Sequence, residues 1–432
     1  MKSIAIIGAG ITGVTTAYAL ATRGYRVTVF DRHRYPAMET SFANGGQLSA
    51  SNAEVWNNLS TIKSGMRWLL KADAPLALNP SPSLHKYSWF AEFVAAIRHH
   101  HNNTRETVRL ALMARQRLFE LAETENIDFN LEKRGILHFY KTNADFQKAS
   151  RTNQLLVEAG LEREAVTAEE IRQLEPALRG DLVGGYYTAG DATGDIHKFT
   201  CGLAEACVER GVRFQLNTEV LGTAARAADV EISWREAGAE GTKGGLERAE
   251  RNAFDGVAVC AGVASPKFAK QLGDRVNIYP VKGYSITVDV PENADRSTAP
   301  WVSLLDESAK IVTSRLGQRR YRVAGTAEFN GFNRDIRHDR VRPLIEWVEQ
   351  HHPHLSTEQV TPWAGLRPMT PTMMPRVGRG KSPHVFYNTG HGHLGWTLSA
   401  ATAEMVASKI DQAFVDEHER NIVAIGYNAV PT

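Results

Sequence analysis

The feature that most constrains the fold is a glycine-rich turn set between two apolar runs at the start of the chain. Residues 3–7 form a short apolar run, and the sequence Gly-Ala-Gly-Ile-Thr-Gly follows at residues 8–13. A helical pattern over residues 14–23, a glycine at position 24 and a second apolar run over residues 26–30 complete the unit. This strand–turn–helix–strand order predicts a parallel β-α-β unit that binds a dinucleotide.

Each polar or glycine position of this unit has a physical role in that prediction. Gly8 permits the tight turn, Gly10 lets the backbone approach a pyrophosphate, and Gly13 lets the helix pack close to the strand. The helix N-terminus offers N–H donors to the phosphates. Asp31 ends the second strand, where its carboxylate can accept both hydroxyl groups of a ribose.

A second glycine-rich loop near the other end of the chain decides between FAD and NAD. The predicted strand 386–388 is followed by a loop over residues 389–397 and an alanine-rich helical pattern over residues 398–413. A second helix N-terminus can stabilise the negative charge that a flavin ring gains on two-electron reduction. Nicotinamide becomes neutral on reduction, so the second loop favours FAD.

Composition excludes several classes of protein. The 432 residues predict two to three domains, and 43% hydrophobic with 23% charged residues is typical of a globular protein. A net charge of +2 gives no strong field for binding nucleic acid. The three cysteines form no CxxC pair, so neither a disulfide framework nor a zinc or dithiol site is expected.

Three further segments limit the interpretation. His99, His100 and His101 are consecutive on a predicted helix and do not share a face, so no metal site is expected there. Residues 236–251 are charged and glycine-rich, which predicts an exposed hairpin. The glycines interrupting residues 4–20 fit neither a signal peptide nor a spanning helix. We therefore expect a cytoplasmic protein, with peripheral contact on the inner face of the cell membrane left open.

Five blocks, spread over nearly the whole chain, resemble the FAD-dependent D-amino acid oxidase superfamily. They most resemble its bacterial D-amino acid dehydrogenase branch, of the small, flavin-bearing subunit type. The first block is shared by many flavoproteins, whereas the last three together are specific. The blocks are Ile7–Gly13, Glu39–Gln47, Pro280–Ser285, Gly365–Pro371 and Asn388–Thr397.

The resemblance implies a set of cofactor-binding residues. The first block and Asp31 would hold the ADP half of FAD. The second block would lie along the pyrophosphate and flavin, and the last block would hold the pyrimidine edge of the flavin ring. The residues implied are Gly8, Gly10, Ile11, Thr12, Gly13, Asp31, Arg32, Thr40, Ser41, Asn44, Gly45, Gly46, Gln47, Val220, Ala261, Gly262, Gly365, Gly392, His393, Leu394, Gly395, Trp396 and Thr397.

The resemblance also implies a substrate-binding arginine. Arg367 matches the arginine of the Gly-Leu-Arg-Pro motif, which binds the substrate carboxylate in related oxidases. A guanidinium suits this role because it grips a carboxylate with two parallel hydrogen bonds; a structural salt bridge is the alternative. Tyr284 and Lys310 are further candidates for the catalytic pocket. His393 stands where the family usually has a small residue, so it either lies on the surface or shapes the pocket entrance.

The implied fold combines α/β and antiparallel β structure: a discontinuous Rossmann-like FAD-binding domain and a second α+β substrate domain. The predicted divisions are residues 1–50, 155–225, 252–265 and 362–420 for the FAD-binding domain, residues 51–154 and 266–361 for the substrate or cap domain, and residues 421–432 for a C-terminal tail.

The implied activity is FAD-dependent oxidation of an α-amino acid, of the D series, to a 2-oxo acid and ammonia. Hydride would pass from Cα to flavin N5, with a quinone, a respiratory carrier or oxygen as the electron acceptor. Two alternatives share these motifs: an enzyme for a secondary or cyclic amino acid, such as sarcosine or D-proline, and a flavin subunit of a hetero-oligomer. The sequence leaves the oligomeric state open.

Overall fold

The computed structural model describes residues 1–68, 75–237 and 249–427, with side chains up to residue 417. Most of the predicted hairpin at 236–251 and the end of the predicted tail at 421–432 lie outside these residues. The helices are α1 (Ile11–Ala21), α2 (Leu59–Trp68), α3 (Leu84–Ala95), α4 (His100–Thr124), α5 (Asn143–Glu158), α6 (Ala168–Leu174), α7 (Ile196–Glu209), α8 (Ser265–Gln271), α9 (His338–His351) and α10 (Gly395–Tyr427).

Within the described ranges, the strands form four sheets of six, three, nine and two members. They are β1 (Ser3–Ile7), β2 (Arg26–Phe30), β3 (Gln47–Leu48), β4 (Leu76–Leu78), β5 (Ile136–Tyr140), β6 (Glu164–Thr167), β7 (Gly184–Thr188), β8 (Ala192–Thr193), β9 (Arg213–Gln215), β10 (Thr218–Ala225), β11 (Val230–Glu236), β12 (Glu250–Phe254), β13 (Gly256–Val259), β14 (Tyr279–Asp289), β15 (Ser303–Asp306), β16 (Ile311–Leu316), β17 (Arg320–Phe329), β18 (Val360–Met369), β19 (Arg376–Arg379) and β20 (Val385–Thr389).

The predicted β-α-β unit forms the centre of the six-stranded sheet. Its order is β19-β20-β13-β1-β2-β9, and β1 pairs in parallel with both β2 and β13. Helix α1 begins at Ile11, three residues before the predicted start, because Gly10 adopts an extended conformation and caps the helix. Strands from the beginning, middle and end of the chain therefore lie side by side in one sheet.

Successive side chains of the central strands point to opposite faces of this sheet, and both faces are buried. Ile4 and Ile6 of β1 pack with α1, α4, α7 and α10 on one face. Ala5 and Ile7 pack with α8 and the antiparallel sheet β10-β11-β12 on the other. Strands buried on both sides explain why these segments are continuous apolar runs rather than alternating ones.

The second large sheet carries the predicted substrate residues. Its order is β18-β14-β17-β16-β15-β5-β7-β6, with β4 joined to β17. Most of its pairs are antiparallel, as expected for this region, but β15 pairs with β5 in parallel. Helix α9 covers one face and buries Leu344 and Trp347 against the sheet. No helix within the described residues is both long and apolar enough to cross a membrane.

Candidate active site

A cavity of about 1380 Å³ lies where the two large sheets meet. On one side it is lined by the residues that follow the carboxyl ends of β1, β2, β13 and β20, and on the other by β5, β14, β17 and β18. Ligands of open parallel sheets bind beyond the carboxyl ends of the strands. The lining includes Arg367, Tyr284, Lys310 and every predicted cofactor-binding residue except Gly13.

The three glycines of the first turn meet different surroundings. A Cβ at Gly13 would lie 1.8 Å from the Gly8 oxygen, and one at Gly8 would lie 2.6 Å from the Cys260 oxygen. Gly10 differs, because the nearest atom to its Cβ position is Ser41 Oγ at 3.5 Å and the position faces the cavity. Gly13 and Gly8 therefore allow backbone segments to approach each other, whereas Gly10 leaves room for a group inside the cavity. This arrangement fits the pyrophosphate of FAD.

Asp31 lies at the end of the same turn with its carboxylate already oriented. Its two oxygens accept hydrogen bonds from the Ala9 N–H at 2.7 Å and the His33 N–H at 2.9 Å. Burial raises the pKa of Asp31 despite these two bonds. Each carboxylate oxygen has a further acceptor position, so Asp31 can also accept the ribose hydroxyls. Arg32 lines the cavity too, but its guanidinium pairs with Glu39.

The predicted loop over residues 40–47 is tied to both sheets. Thr40 donates to the Leu366 oxygen at 2.9 Å, and Ser41 Oγ accepts from the Ile11 N–H at 3.1 Å. The Gln47 amide donates to Ser303 Oγ at 2.8 Å. These bonds hold the loop across the cavity wall between the first glycine turn and the substrate sheet.

The second glycine-rich loop lies beside the first on the cavity wall. Gly390 and Gly392 have φ values of 78° and 60°, in the left-handed region that favours glycine, and α10 begins at Gly395. Thr397 Oγ1 accepts from the Ser49 N–H at 3.2 Å, which joins this loop to the chain after Gln47. Two helix N-termini, those of α1 and α10, therefore border one cavity.

Arg367 lies in β18 with its guanidinium over the backbone of β14. A Cβ at Gly283 would lie 2.3 Å from Arg367 Nη2, so only glycine leaves room for the guanidinium there. Nη1 donates to the Thr326 oxygen at 2.8 Å, and no carboxylate in the described part of the chain forms an ion pair with the guanidinium. Burial lowers the pKa of Arg367 to about 10, so it stays charged at neutral pH. The salt-bridge alternative therefore has no partner among these residues.

Tyr284 and Lys310 line the same cavity in different ways. Tyr284 packs in the core beside α9, and its hydroxyl donates to Glu328 at 2.6 Å. The side chain of Lys310 is half exposed, and its ammonium group lies 2.6 Å from Glu307. Partial burial of the ammonium group lowers the pKa of Lys310, but the nearby Glu307 carboxylate outweighs this effect, so the pKa is raised. Of the two, Lys310 has the reactive group that is better placed to meet a ligand.

His393 lies inside the cavity wall rather than on the surface. Its ring stacks on Trp56 with 4.7 Å between centroids, and Nε2 lies 3.2 Å from the Asn52 oxygen. Burial, with a contribution from the charge of Arg367, lowers the pKa of His393 to about 4. The imidazole is therefore neutral at physiological pH and restricts the cavity near the arginine.

Sequence reasoning missed a buried polar cluster on β5 and the turn after β15. His138 Nδ1 lies 2.9 Å from Glu307, and Nε2 lies 3.0 Å from Ser51 Oγ. Burial lowers the pKa of His138, while Lys310 and His138 hold the pKa of Glu307 far below its usual range despite its own burial. The one available signal was a histidine within the apolar run Ile136–Tyr140.

Comparison with known proteins agrees with this geometry. Residues 3–409 match the family described as FAD dependent oxidoreductase. The chain belongs to this family. The match confirms the family resemblance and the expectation that FAD is the cofactor.

Two curated relatives and one solved structure extend the comparison. D-amino acid dehydrogenase 3 of Mesorhizobium japonicum is 56% identical over 410 residues, which cover 95% of this chain and 97% of the relative. A D-amino acid dehydrogenase of Dechloromonas aromatica is 37% identical over 94% of this chain and 96% of its own. Glycine oxidase from Geobacillus kaustophilus superposes with a TM-score of 0.73 at 20% identity, covering 95% of each chain. The last likeness confirms the predicted fold class.

Proposed function

We propose that this protein is an FAD-dependent dehydrogenase of D-amino acids. It would convert the substrate to an imino acid, which water hydrolyses to a 2-oxo acid and ammonia. Two observations support the substrate class. The curated relatives are D-amino acid dehydrogenases, and Arg367 presents to the cavity a guanidinium that has no carboxylate partner among the described residues. The arginine carries the proposal, because an amino acid brings the carboxylate that this charge requires.

The residues of this chain would bind and orient the two reactants. Bound FAD would accept the hydride that leaves the substrate Cα. The first glycine turn and Asp31 would hold the ADP half, and the loops 40–47 and 389–397 would hold the flavin end. Arg367 would fix the substrate carboxylate with paired hydrogen bonds, which sets the direction of the Cα–H bond. Oxidation from the neutral amine needs no strong base, and the protein supplies orientation and electrostatics.

The same proposal divides the chain by role. Residues 1–50, 155–225, 252–265 and 362–420 would hold the cofactor, and residues 51–154 and 266–361 would cover the substrate. The six-stranded sheet draws its strands from the first group, and β14 to β17 of the nine-stranded sheet belong to the second. Strands β6 and β7 and most of β18, which carries Arg367, also belong to the nine-stranded sheet, although this division assigns them to the first group. A separate electron acceptor would complete each cycle.

The decisive experiment is anaerobic reduction of the purified, FAD-loaded protein. We expect D-alanine to bleach the flavin absorbance rapidly, and L-alanine, sarcosine and D-proline to do so far more slowly. D-Alaninamide is the matched control, because it lacks only the carboxylate. Faster bleaching by a secondary amine, or bleaching by none of these compounds, would contradict the proposal.

A further inference from the structure

An apolar surface lies beside Arg367 on the wall of the cavity. The guanidinium lies over Gly283 of β14 and donates to the Thr326 oxygen of β17 at 2.8 Å. The next residue of β17, Ala327, pairs with Leu76 of the short strand β4. Both of these apolar residues line the same cavity as the guanidinium. Arg367 therefore reaches β17 at the point where β4 joins it.

The strand register places the apolar surface on the same face of the sheet as Arg367. Val281 of β14 lies directly opposite Arg367 of β18, and opposed residues of an antiparallel pair share a face. Val281 packs in one apolar cluster with Leu76, Leu78 and Phe329. These last three, from β4 and β17, also line the cavity. The face that presents the guanidinium thus continues as an apolar wall.

Helix α3 and the segment before α2 complete this wall. Trp89 Nε1 donates to the Met369 oxygen at 2.8 Å. The Asn57 side chain donates to the oxygens of Phe93 and Pro371, at 3.0 Å and 2.9 Å. Trp89 and Phe93 line the cavity as well. These bonds hold α3, with its aromatic rings, against the end of β18.

The second glycine-rich loop borders the same wall. His391 forms a bridge with Met369 at the end of β18, and the His393 ring stacks on Trp56 with 4.7 Å between centroids. Trp56 is half-buried and lines the cavity. This loop would hold the flavin end of FAD, so the apolar wall lies between the flavin and β4. A substrate whose carboxylate bonds to Arg367 then has its side chain beside this wall.

Polar side chains near the start of α2 line the cavity but are engaged with one another. Glu54 lies 3.2 Å from His100. Asn58 Oδ1 accepts from Ser60 Oγ and the Thr61 N–H, both at 2.7 Å. A polar substrate side chain here would lose its bonds to water and find few free partners among the described residues, which is costly. An apolar side chain instead gains free energy by leaving water.

We propose that this wall binds the substrate side chain, so that the enzyme acts on D-amino acids with apolar side chains, and that Leu76 is a specificity-determining residue. The inference rests on the proposed function and names its substrate class. Leu76 is half-buried, and a Cβ at Gly65 of α2 would lie 3.3 Å from its Cδ2. Its position between β17 and α2 therefore presents an apolar group to the cavity.

Anaerobic flavin reduction tests this specificity, because that half of the reaction does not involve the electron acceptor. D-Leucine and D-asparagine have nearly the same shape, but only D-asparagine has a polar end. FAD-loaded wild type should be reduced at least about tenfold more efficiently by D-leucine, as the rate constant divided by the dissociation constant, since burying an unpaired amide is costly. Leu76→Asn should lower this ratio by about fivefold or more, because its amide can hydrogen-bond to that of D-asparagine.

Two further variants control this measurement. Leu59→Asn makes the same change at a residue of α2 that is 64% exposed and does not line the described cavity, so it should keep the wild-type ratio. Leu76→Ala adds no polar group and should lower the ratio less than Leu76→Asn, which keeps the inference testable if the latter does not fold. Unchanged ratios in both Leu76 variants, with slower flavin reoxidation by an added quinone, would assign the wall to the electron acceptor and overturn the inference.

A binding measurement separates this inference from the proposed function. 4-Methylpentanoate and succinamate are D-leucine and D-asparagine without the amino group. In calorimetric titrations of FAD-loaded wild type, 4-methylpentanoate should bind at least about tenfold more tightly, and Leu76→Asn should reduce that difference. If no D-amino acid reduces the flavin, the proposed function is wrong, while the two acids still test the wall. Equal affinity for both acids, or binding of neither, would overturn the inference.

Discussion

At the scale of single residues, the charge of Arg367 offers the sharpest test of the site. Losing a paired, partly buried contact with a carboxylate should cost roughly 3 to 5 kcal/mol of transition-state binding. Arg367→Ala should therefore lower kcat/KM for a D-amino acid by about 10² to 10⁴. Arg367→Lys should recover little, because an ammonium group lacks the planar fork.

The matching measurement compares each D-amino acid with its carboxamide. Wild type should strongly prefer the acid, and both variants should lose that preference. Arg379→Ala removes an exposed arginine on β19 and should leave the preference intact. Full activity of Arg367→Ala, with preference for a free carboxylate retained, would mean that another residue binds the substrate.

Gly283 provides an independent test of the same position. The Cβ of Gly283→Ala would lie 2.3 to 2.5 Å from three atoms of the Arg367 guanidinium, which must then move. We expect KM to rise at least about tenfold, because even a displacement of 1 Å can cost about 10²-fold in rate, while the protein keeps its FAD. Gly273→Ala is the control for general destabilisation, since its φ of 81° strains an alanine although its Cβ would have no atom within 4 Å, so KM should stay unchanged. Equal kinetics of the two variants would contradict the placement of Arg367.

Arg367 and Gly283 also show which site residues can be identified from the sequence alone. The Gly-Leu-Arg-Pro motif is enough by itself to single out Arg367 as a substrate-binding candidate. Gly283 did not stand out, because its importance arises only from the pairing of β14 with β18, which sets Gly283 opposite Gly365 and Val281 opposite Arg367.

At the scale of elements, the unit β1–turn–α1 should separate cofactor binding from folding. Gly10→Val should keep a folded protein that no longer retains FAD, because its side chain extends into the cavity rather than into protein. Gly13→Val should instead prevent folding, since its Cβ would lie 1.8 Å from the Gly8 oxygen. Flavin absorbance after reconstitution, together with circular dichroism, checks both outcomes. Retention of FAD by Gly10→Val would refute the predicted role of the turn.

Element type was easier to predict from the sequence than the side of an element that meets the cavity. The predicted apolar strands β1, β2 and β20 are confirmed. Tyr284 was a candidate from its place in a motif, yet its hydroxyl bonds to Glu328 in the core beside α9. Alternation along a strand fixes which residues share a face, but the partner of each face is decided by tertiary packing.

At the scale of the whole molecule, the cofactor explains why distant segments meet. Two glycine-rich loops that serve one FAD must lie together, so β1 and β20 can be expected in one sheet from the sequence. The opposite wall of the cavity, formed by the nine-stranded sheet, has no sequence motif that requires its segments to lie together. His138 and Glu307 come together through the parallel pairing of β5 with β15, and no local pattern specifies that pairing.

Buried neutral histidines should make the folded molecule sensitive to acid. Burial lowers the pKa of His352 to about 3, and its ring is satisfied as a neutral group by Tyr321 at 3.2 Å and the Ala177 oxygen at 3.1 Å. In the unfolded chain, this histidine takes up a proton near pH 6.5. Between about pH 6.5 and 3, the unfolded state therefore binds a proton that the native state does not bind. The free energy of unfolding should therefore fall as the pH falls through this window, by up to about 1.4 kcal/mol per pH unit for each such group.

His352→Gln isolates this contribution. The variant has no imidazole to protonate, so its unfolding free energy, measured by urea denaturation from pH 7 to 4.5, should fall less steeply with acid than that of wild type. The reduction in slope should approach about 1.4 kcal/mol per pH unit below pH 6, where the unfolded histidine is mostly charged. His354→Gln, two residues away and exposed, should leave the slope unchanged. Parallel pH profiles for His352→Gln and wild type would show that His352 takes up a proton equally in both states, contrary to its burial at the end of α9.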